Sequence, residues 1–564
     1  MSRFNVRPET HTNFEGSEAF KLDPQMALYS TVCTSMLMPK YYRQNTEAQL
    51  NELRYLISNN DPEFVARLAV YAREKMFMRT IPLVLVVELA RLYNRGSALK
   101  KAVARVVARP DEIVELIAYY MKANDRTNFK RLSKQLSKGL KIAFNKFNEY
   151  QFAKWNRDGQ VKLSDALRMV RPVPKSEDQG EIFQKICTNT LAVPYTWESE
   201  FANLGRELNK EILKYLYEET GLINLDLPEF TSLNKLLTTL SEISHPEYDT
   251  VAKIVESARL QAKKGLWEQL IDSDKMGYQA TLMNVRNFLK YDVSMGHIQK
   301  VADKLADNAV NSKMFPFRFL SAYRALKGVS SRRYNVTMEE DTSSFNLAKV
   351  DVIVDGLERA VAQSIDNVDL FDGSRVCIAC DVSGSMMSPI SAKSTITNYD
   401  IGLVMGLLLK RKYDDNAIVG IFGATWKVKD LGQNVLAGVN ELYNNEGEVG
   451  YSTNGYKVLE YLLQNDVEVD KVMMFTDCQN STLGWNISNR SRDSKIPTLW
   501  VEYKRRFPNA KLYLFDLSGH GDTPIRLEEG DVSLIAGFSP EIFNVLKNIE
   551  EGKSALENIN MIEL

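Results

Sequence analysis

At 564 residues the chain exceeds what one hydrophobic core covers, so two or three domains are expected. It is 44% hydrophobic and 25% charged, an ordinary soluble composition that excludes a low-complexity or collagen-like chain. Its 71 basic residues nearly cancel 72 acidic ones, which excludes any argument about partners from net charge and leaves local patterning to carry it. The N-terminal MSRFNVRPETHTNFEG lacks an apolar run of signal-peptide length, and no stretch nears ~18 uninterrupted apolar residues, so the reading is a cytoplasmic protein that spans no membrane.

After an arm over residues 1–24, the chain is helix-like from 25 to 365. Apolar residues recur at three and four in FVARLAVYAREKMF (64–77) and IPLVLVVELARLYN (81–94), where Pro82 falls in a first turn that tolerates it. Further amphipathic segments are expected at 97–107, 111–122, 130–148, 181–192, 208–219, 248–263 and 314–326, joined by short polar links. This is the pattern of stacked helix pairs, HEAT-like in outline, without a strict sequence repeat.

Charge is uneven within that half. Residues 122–175 hold fourteen Lys or Arg against four acids. On a helix, Lys130, Lys134, Lys138 and Lys141 fall within a sector of about 80°, while Leu132, Leu136, Leu140, Ala143 and Phe147 fall on the far side. A solvated face ordinarily mixes in glutamates for i,i+4 pairs, and none occurs between 126 and 148. A polyanion is the natural ligand for such a face. Lys154, Arg157, Lys162, Arg168 and Arg171 extend it. A second run, Arg91, Arg95, Lys100, Lys101, Arg105 and Arg109, contains no acid between its members. Of the aromatics nearby, Phe144, Phe147, Tyr150, Phe152 and Trp155, most are expected in the core.

After about residue 370 the rhythm changes to short apolar runs alternating with helical segments: VCIACDV, IGLVMGLLLKRKY, AIVGIFG, GYKVLEYLLQ, KVMMFTD, LWVEYKRRF, KLYLFDLSG and VSLIAGF. Runs apolar throughout mean a parallel sheet covered on both faces, a doubly wound α/β domain over 370–564. Cys377 and Cys380 form a C-x-x-C inside one such run, with no second pair or histidine cluster to complete a zinc site. With Cys33, Cys187 and Cys478 they make five scattered cysteines, which suits a reducing compartment.

The stretch IACDVSGSMMSP ends a strand in Asp381, Ser383 and Ser385, with Gly384 expected to tighten the turn. The loop GYSTNG brings Thr453, and a later strand end brings Thr476-Asp477. Ligands of open α/β sheets bind beyond the carboxyl ends of strands, so these groups are expected on one edge. Two carboxylates and three hydroxyls are hard oxygen donors that suit a divalent cation, magnesium above all. A phosphatase-type role for Asp381 would want a second acid where Ser383 stands. A serine nucleophile would want a base, and of the four histidines only His520 lies in this half.

The D-x-S-x-S, the distant threonine and the later Thr-Asp resemble the metal-ion-dependent adhesion site of von Willebrand factor A domains. That resemblance implies Asp381, Ser383, Ser385 and Thr453 as ligands, direct or through water, and Asp477 as a ligand that is direct or water-bridged by state. Across nearly the whole chain, stretches such as FVARLAVYAREKMFMRTIPLVLVVELARL, SKGLKIAFNKFNEYQFAKWNRDGQVKLSDALRMVRPVP, WEQLIDSDKMGYQATLMNVRNFLKY and FPFRFLSAYRALK resemble the TROVE family, that of the Ro autoantigen and its bacterial relatives. The resemblance implies a ring of helical repeats closed by the A domain. It implies a monomeric scaffold without catalysis of its own that binds small noncoding Y RNA on an outer basic surface and single-stranded 3′ ends of misfolded or decaying RNA in a central hole. It also implies an exoribonuclease partner, polynucleotide phosphorylase, tethered through Y RNA. Lys138, Lys141, Lys154, Arg157, Lys162, Arg168 and Arg171 are the RNA contacts it implies, and the lysine face adds Lys130 and Lys134; where relatives carry a histidine near the Leu-Arg segment, this chain reads Met169-Val170-Arg171. Two other function classes stand beside this one: a protein-adhesion module whose metal grips an acidic partner residue, and a metal-dependent hydrolase.

Overall fold

The computed structural model describes residues 10–12, 18–35, 44–93, 96–124, 131–156, 159–192, 197–216, 233–242, 244, 247–327, 345–366, 368, 370, 373–387, 389–390, 394–479, 495–527 and 531–564. Contacts divide the chain into two compact units, Met1–Val193 with Phe315–Phe317 and Ser364–Leu564, and Pro194–Met314 with Arg318–Gln363. Composition divides the chain by rhythm near residue 370, whereas contacts gather the first helices and the α/β segment into one unit.

In the larger unit, helices run from Pro24–Thr34 through Gln44–Ser58, Pro62–Glu74, Thr80–Leu92, Ala98–Val106, Pro110–Ala123, Lys134–Phe144, Glu149–Trp155, Leu163–Val170 and Glu177–Thr188. Asp23 and Asp61 cap the first and third by accepting amide hydrogens ahead of an N1 proline. The segment 130–148, expected as one helix, is cut short. Ser133 caps its start by accepting from the Leu136 amide, and the helix ends at Phe144, so Phe147 is buried from a loop instead. Lys130 lies outside the described residues.

The helices of this unit are cross-braced by buried acids. Glu112 accepts Arg73 at 2.6 and 2.9 Å and the amides of Ala108 and Arg109 at 2.8 and 3.1 Å. Glu88 accepts Arg54, Arg91 and the Tyr119 hydroxyl. Both are buried, and each carboxylate gains the partners that a charge out of water requires.

Nine strands occur among the described residues: β1 (Thr10–Thr12), β2 (Glu18–Lys21), β3 (Val376–Asp381), β4 (Ala417–Phe422), β5 (Trp426–Val428), β6 (Lys471–Thr476), β7 (Lys511–Asp516), β8 (Asp522–Thr523) and β9 (Val532–Ala536). Six of them form one sheet in the order β5-β4-β3-β6-β7-β9, parallel except for the β4–β5 pair. β3 and β6 are buried at every residue, as expected of strands covered on both faces. Cys377 and Cys380 sit there as free thiols; burial pushes Cys377 up to about 12 and Cys380 higher. The helix Asn398–Tyr413 is apolar nearly all round and lies against β3.

The N-terminal arm is not a simple extension. β2 pairs antiparallel with β8, and the Leu22 amide donates to the Gly521 carbonyl at 3.0 Å. The helix Pro24–Thr34 then seats beyond the ends of β7 and β9. Tyr29 bonds the carbonyl and amide of Ala536 through its hydroxyl, and Ser30 donates to Asp516. Gly519, at φ +68°, permits this seat, because a Cβ there would lie 2.3 Å from Thr34 Oγ1 and 3.1 Å from the Ser30 carbonyl.

The smaller unit is helical. Trp197–Lys214, Leu233–Glu242 and the first turns of Tyr248–Asp272 share a core of Ile212, Leu213, Leu216, Leu233, Leu236, Leu240, Val251 and Val255. Beyond it, Trp267 meets Phe288 edge-on at 5.3 Å. Lys349 bonds Asp292 at 2.5 Å, and Lys300 bonds Asp272 at 2.7 Å. No helix among the described residues is long and apolar enough to cross a membrane.

Candidate functional site

In the six-stranded sheet the chain passes from β3 to β4 on one side and then to β6 on the other. The order therefore reverses between β3 and β6, the position where open α/β sheets leave a crevice. Asp381 ends β3 and Asp477 follows β6, so the two carboxylates flank this point, both buried.

Asp381 is held by two residues, one on each carboxylate oxygen. Its Oδ1 accepts the Ser383 amide at 2.8 Å, and its Oδ2 accepts the Thr476 hydroxyl at 2.7 Å. The Ser383 and Ser385 hydroxyls are 3.2 Å apart. The Gly384 amide donates to the Tyr451 carbonyl at 3.0 Å, which brings the Tyr451–Thr453 loop against the D-x-S-x-S turn. Thr453 is buried on that loop, and its hydroxyl makes no hydrogen bond among the described residues. Asp477 Oδ1 accepts the Gln479 amide at 3.0 Å, and Gln479 in turn donates through its side chain to Asp522 Oδ1 at 2.7 Å.

Gly384 is not the tight point of the turn. A Cβ there would come no nearer than 3.9 Å to the Tyr451 carbonyl. The close approach is at Gly423, just past β4, where a Cβ would lie 2.0 Å from the Gly450 carbonyl. The loop carrying Thr453 rests on the end of β4, so the residue that cannot gain a side chain is there.

Burial, and next the Asp477 carboxylate, push Asp381 up to about 7, while the Thr476 and Ser383 bonds pull it back. Two buried acids in mutual repulsion, with hydroxyls around them and one hydroxyl uncommitted, are the donor chemistry of a hard divalent cation. Asp381, Ser383, Ser385, Thr453 and Asp477 fit such an ion. No group of three or more His, Cys, Asp or Glu able to hold a metal occurs among the described residues, so any cation here leans on hydroxyls.

Among the described residues, neither serine is bonded to a histidine. His520 is exposed and draws on Asp516 and Glu52 electrostatically. Asp516, ending β7, is a third buried acid on this edge, satisfied by Ser30 and by the amides of Ser518 and Gly519 at 3.0 and 2.9 Å. Thr476 and Asp516 were both readable as polar residues ending apolar runs; their partners were not.

On the basic stretch, Lys134 and Lys138 are exposed, Lys141 is half-buried, and Leu136, Leu140, Ala143 and Phe144 are buried. Lys154, Lys162, Arg168 and Arg171 are exposed. Asn145 pins the chain after Arg171: its side chain donates to the carbonyls of Lys141 at 3.0 Å and Val173 at 2.9 Å and accepts the Lys175 amide at 2.9 Å. The Arg168–Arg171 segment therefore adjoins the end of the Lys134–Phe144 helix. Lys134, Lys138 and Lys162 make no ion pair among the described residues. Arg168 lies 3.7 Å from Asp165, both well exposed, a pair of little consequence in water. Arg157, like Lys130, lies outside the described residues. Lys146 is exposed as well, but its ammonium is committed to the carbonyls of Ala104 and Val107, and desolvation there lowers it.

The second basic run is not an open stripe. Arg91 pairs with Glu88, Arg105 with Glu74, and Arg109 with Asp111, while Lys101 reaches the Leu564 carbonyl. Arg95 lies outside the described residues. Phe144, Phe147 and Phe152 are core, as expected, but Tyr150 is exposed.

A family model described as the TROVE domain matches residues 23–255 and 252–369. Two curated proteins named telomerase protein component 1 are similar to the chain. The rat protein is 22% identical over 341 residues, 55% of this chain and 13% of the relative; the mouse protein is 23% identical over 338 residues, 54% and 13%. The chain thus spans a small fraction of these relatives. Among solved structures, the crystal structure of the Deinococcus radiodurans Ro (RSR) protein aligns with a TM-score of 0.52 at 14% identity, covering 94% of this chain and 100% of that one.

Proposed function

The chain belongs to the TROVE family, and from that premise we propose that it is an RNA-binding ribonucleoprotein scaffold acting in quality control, maturation or degradation of noncoding RNA. The basic region around Lys134, Lys138, Lys141, Lys154, Lys162, Arg168 and Arg171, continued by Lys130 and Arg157, holds the duplex part of a small Y RNA. Single-stranded 3′ ends of misfolded or decaying RNA enter a central hole of the helical half, and an exoribonuclease of the polynucleotide phosphorylase kind joins through the Y RNA. The scaffold works as a cytoplasmic monomer and performs no catalysis of its own.

The observation that carries this reading is the set of exposed lysines, Lys134, Lys138 and Lys162, that no acid partners among the described residues. Unpaired cations in a row keep their full attraction for phosphates, whereas Arg91 and Arg105 have spent theirs on glutamates. Sequencing RNA that co-purifies from the native host, followed by filter binding across salt, tests it. The expected affinity falls steeply with ionic strength; an affinity flat from low to moderate salt overturns the reading.

A second reading rests on the oxygen cluster at the β3–β6 reversal. Asp381, Ser383, Ser385, Thr453 and Asp477 of a von Willebrand factor A-like domain hold magnesium, and the ion, when bound, offers a coordination position to a carboxylate or phosphate. The chain's own contribution is to fix Asp381 through Thr476 and Ser383. Asp381→Ala then abolishes capture of an acidic protein partner. If every partner stays bound to the variant, the adhesion reading fails.

A further inference from the structure

The short helix Glu149–Trp155 carries three rings, Tyr150, Phe152 and Trp155, and one cation, Lys154. Phe152 faces inward, stacked on Phe144 at 6.2 Å and edge-on to Phe147 at 5.7 Å. Tyr150 and Lys154, one turn apart, share the face turned away from Phe152. Tyr150 is 51% exposed, a large value for a ring on a packed helix. The Lys154 ammonium lies 5.8 Å from the Tyr150 ring and 5.8 Å from the Trp155 ring, between the two. Trp155 has the Arg109 guanidinium over it at 3.8 Å, and Arg109 is itself held by Asp111, with Nε 3.0 Å from Oδ1. At the other end of the helix, Glu149 accepts Lys185 at 2.8 and 3.0 Å. Both ends are therefore pinned, and the exposed ring stands on a rigid base.

We propose that Tyr150 is a stacking platform for an unpaired nucleobase of RNA, with Lys154 taking the phosphate of the same nucleotide and Trp155, fixed under Arg109, holding Lys154 in place. This rests on the RNA-binding reading above and deepens it. A ring that costs apolar exposure to water is tolerable where a flat ligand covers it, and every base has a flat face. The surroundings select the ligand: Lys134, Lys138, Lys162, Arg168 and Arg171 are exposed in the same stretch, which favours a polyanion and disfavours a cationic or neutral partner. A duplex buries its bases, so the platform serves a single-stranded stretch flanking the duplex that the lysines hold.

Fluorescence anisotropy with two labelled RNAs tests it: one blunt duplex, and the same duplex with a short uridine overhang. Tyr150→Ala is expected to weaken overhang binding about tenfold while leaving the blunt duplex unchanged, as loss of one stacked base would. Tyr150→Phe is expected to retain wild-type affinity, because the ring and not the hydroxyl stacks. Equal affinity of wild type and Tyr150→Ala for the overhang RNA, with both duplexes still bound, overturns the platform and leaves the RNA-binding reading standing. Failure of wild type to bind either RNA overturns both. An acidic peptide whose binding, instead of the overhang's, depends on Tyr150 overturns the nucleotide assignment.

Discussion

The Thr476 hydroxyl donates to Asp381 Oδ2 at 2.7 Å, so the last residue of β6 holds the carboxylate that ends β3. The two strands are parallel neighbours, and the bond spans the crevice side of their pairing. Thr476→Val keeps the shape and removes the donor. A hydrogen bond to a charged group contributes about 1.5–3 kcal/mol. The expected result is magnesium affinity at least roughly tenfold weaker, with an unchanged fold, read by isothermal titration calorimetry and circular dichroism.

The pH dependence of stability has a definite sign. Asp381 is pushed up to about 7 in the folded chain, against ~3.9 for an unfolded aspartate. Between those values the folded state holds a proton that the unfolded state has lost. Without divalent cation, stability therefore declines as pH rises from ~4 to ~7 and levels off above. A bound cation favours the ionised carboxylate, so excess magnesium should flatten that decline. Thermal melts across this range, in chelator and in magnesium, check both halves of the prediction.

Lys134→Glu combined with Lys138→Glu places two acids on an exposed face where neither lysine has an ion-pair partner among the described residues. Duplex RNA binding is expected to weaken, and the slope of log affinity against log salt should drop by about two, one per phosphate contact. The melting temperature should stay near that of the wild type, since neither side chain braces the fold. An unchanged slope in filter binding would take both residues out of the interface.

Glu112 is buried and carries Arg73 and two backbone amides on its two oxygens. Glu112→Gln leaves the Arg73 guanidinium without its counter-charge. The expected loss is about 3–5 kcal/mol, seen as a lower urea midpoint. Arg91→Gln leaves Glu88 with Arg54 and Tyr119 and should cost less.

Gly423→Ala drives a Cβ to 2.0 Å from the Gly450 carbonyl, whereas Gly384→Ala meets nothing nearer than 3.9 Å. The first should destabilise the protein by about 1–3 kcal/mol and displace the Thr453 loop; the second should be near neutral. Paired urea titrations decide, and a reversal of that order would contradict the packing of the loop on β4.

Where the periodicity of the chain and the chemistry coincide, the positions of the strand-end residues are legible from residues alone. Asp381, Ser383 and Ser385 end an apolar run, and a parallel sheet places the end of KVMMFTD beside them. What stays hidden depends on residues far apart in the chain. Ser30 and Asp516 are separated by 486 positions, and nothing around Ser30 marks it as a donor to a strand end. The two basic runs look alike as text. One is consumed because Glu74, 31 positions before Arg105, folds onto it; in the other, Lys134, Lys138 and Lys162 meet no such acid among the described residues. The tight glycine was likewise misplaced because the Tyr451–Thr453 loop, which rests at the end of β4, comes from a later part of the chain.

The seat of the Pro24–Thr34 helix also bears on how the chain is made. Tyr29 leaves the ribosome 507 residues before the Ala536 that completes its bonding. At roughly 5–20 residues per second, that helix and β2 wait on the order of 25–100 s for their partners to be translated. Throughout the interval Leu28, Tyr29 and Val32, all buried in the finished protein, lack their final cover. The Pro24–Thr34 helix is thus among the last parts to settle, and a chaperone binding there during synthesis would guard the segment on which closure of the sheet edge depends.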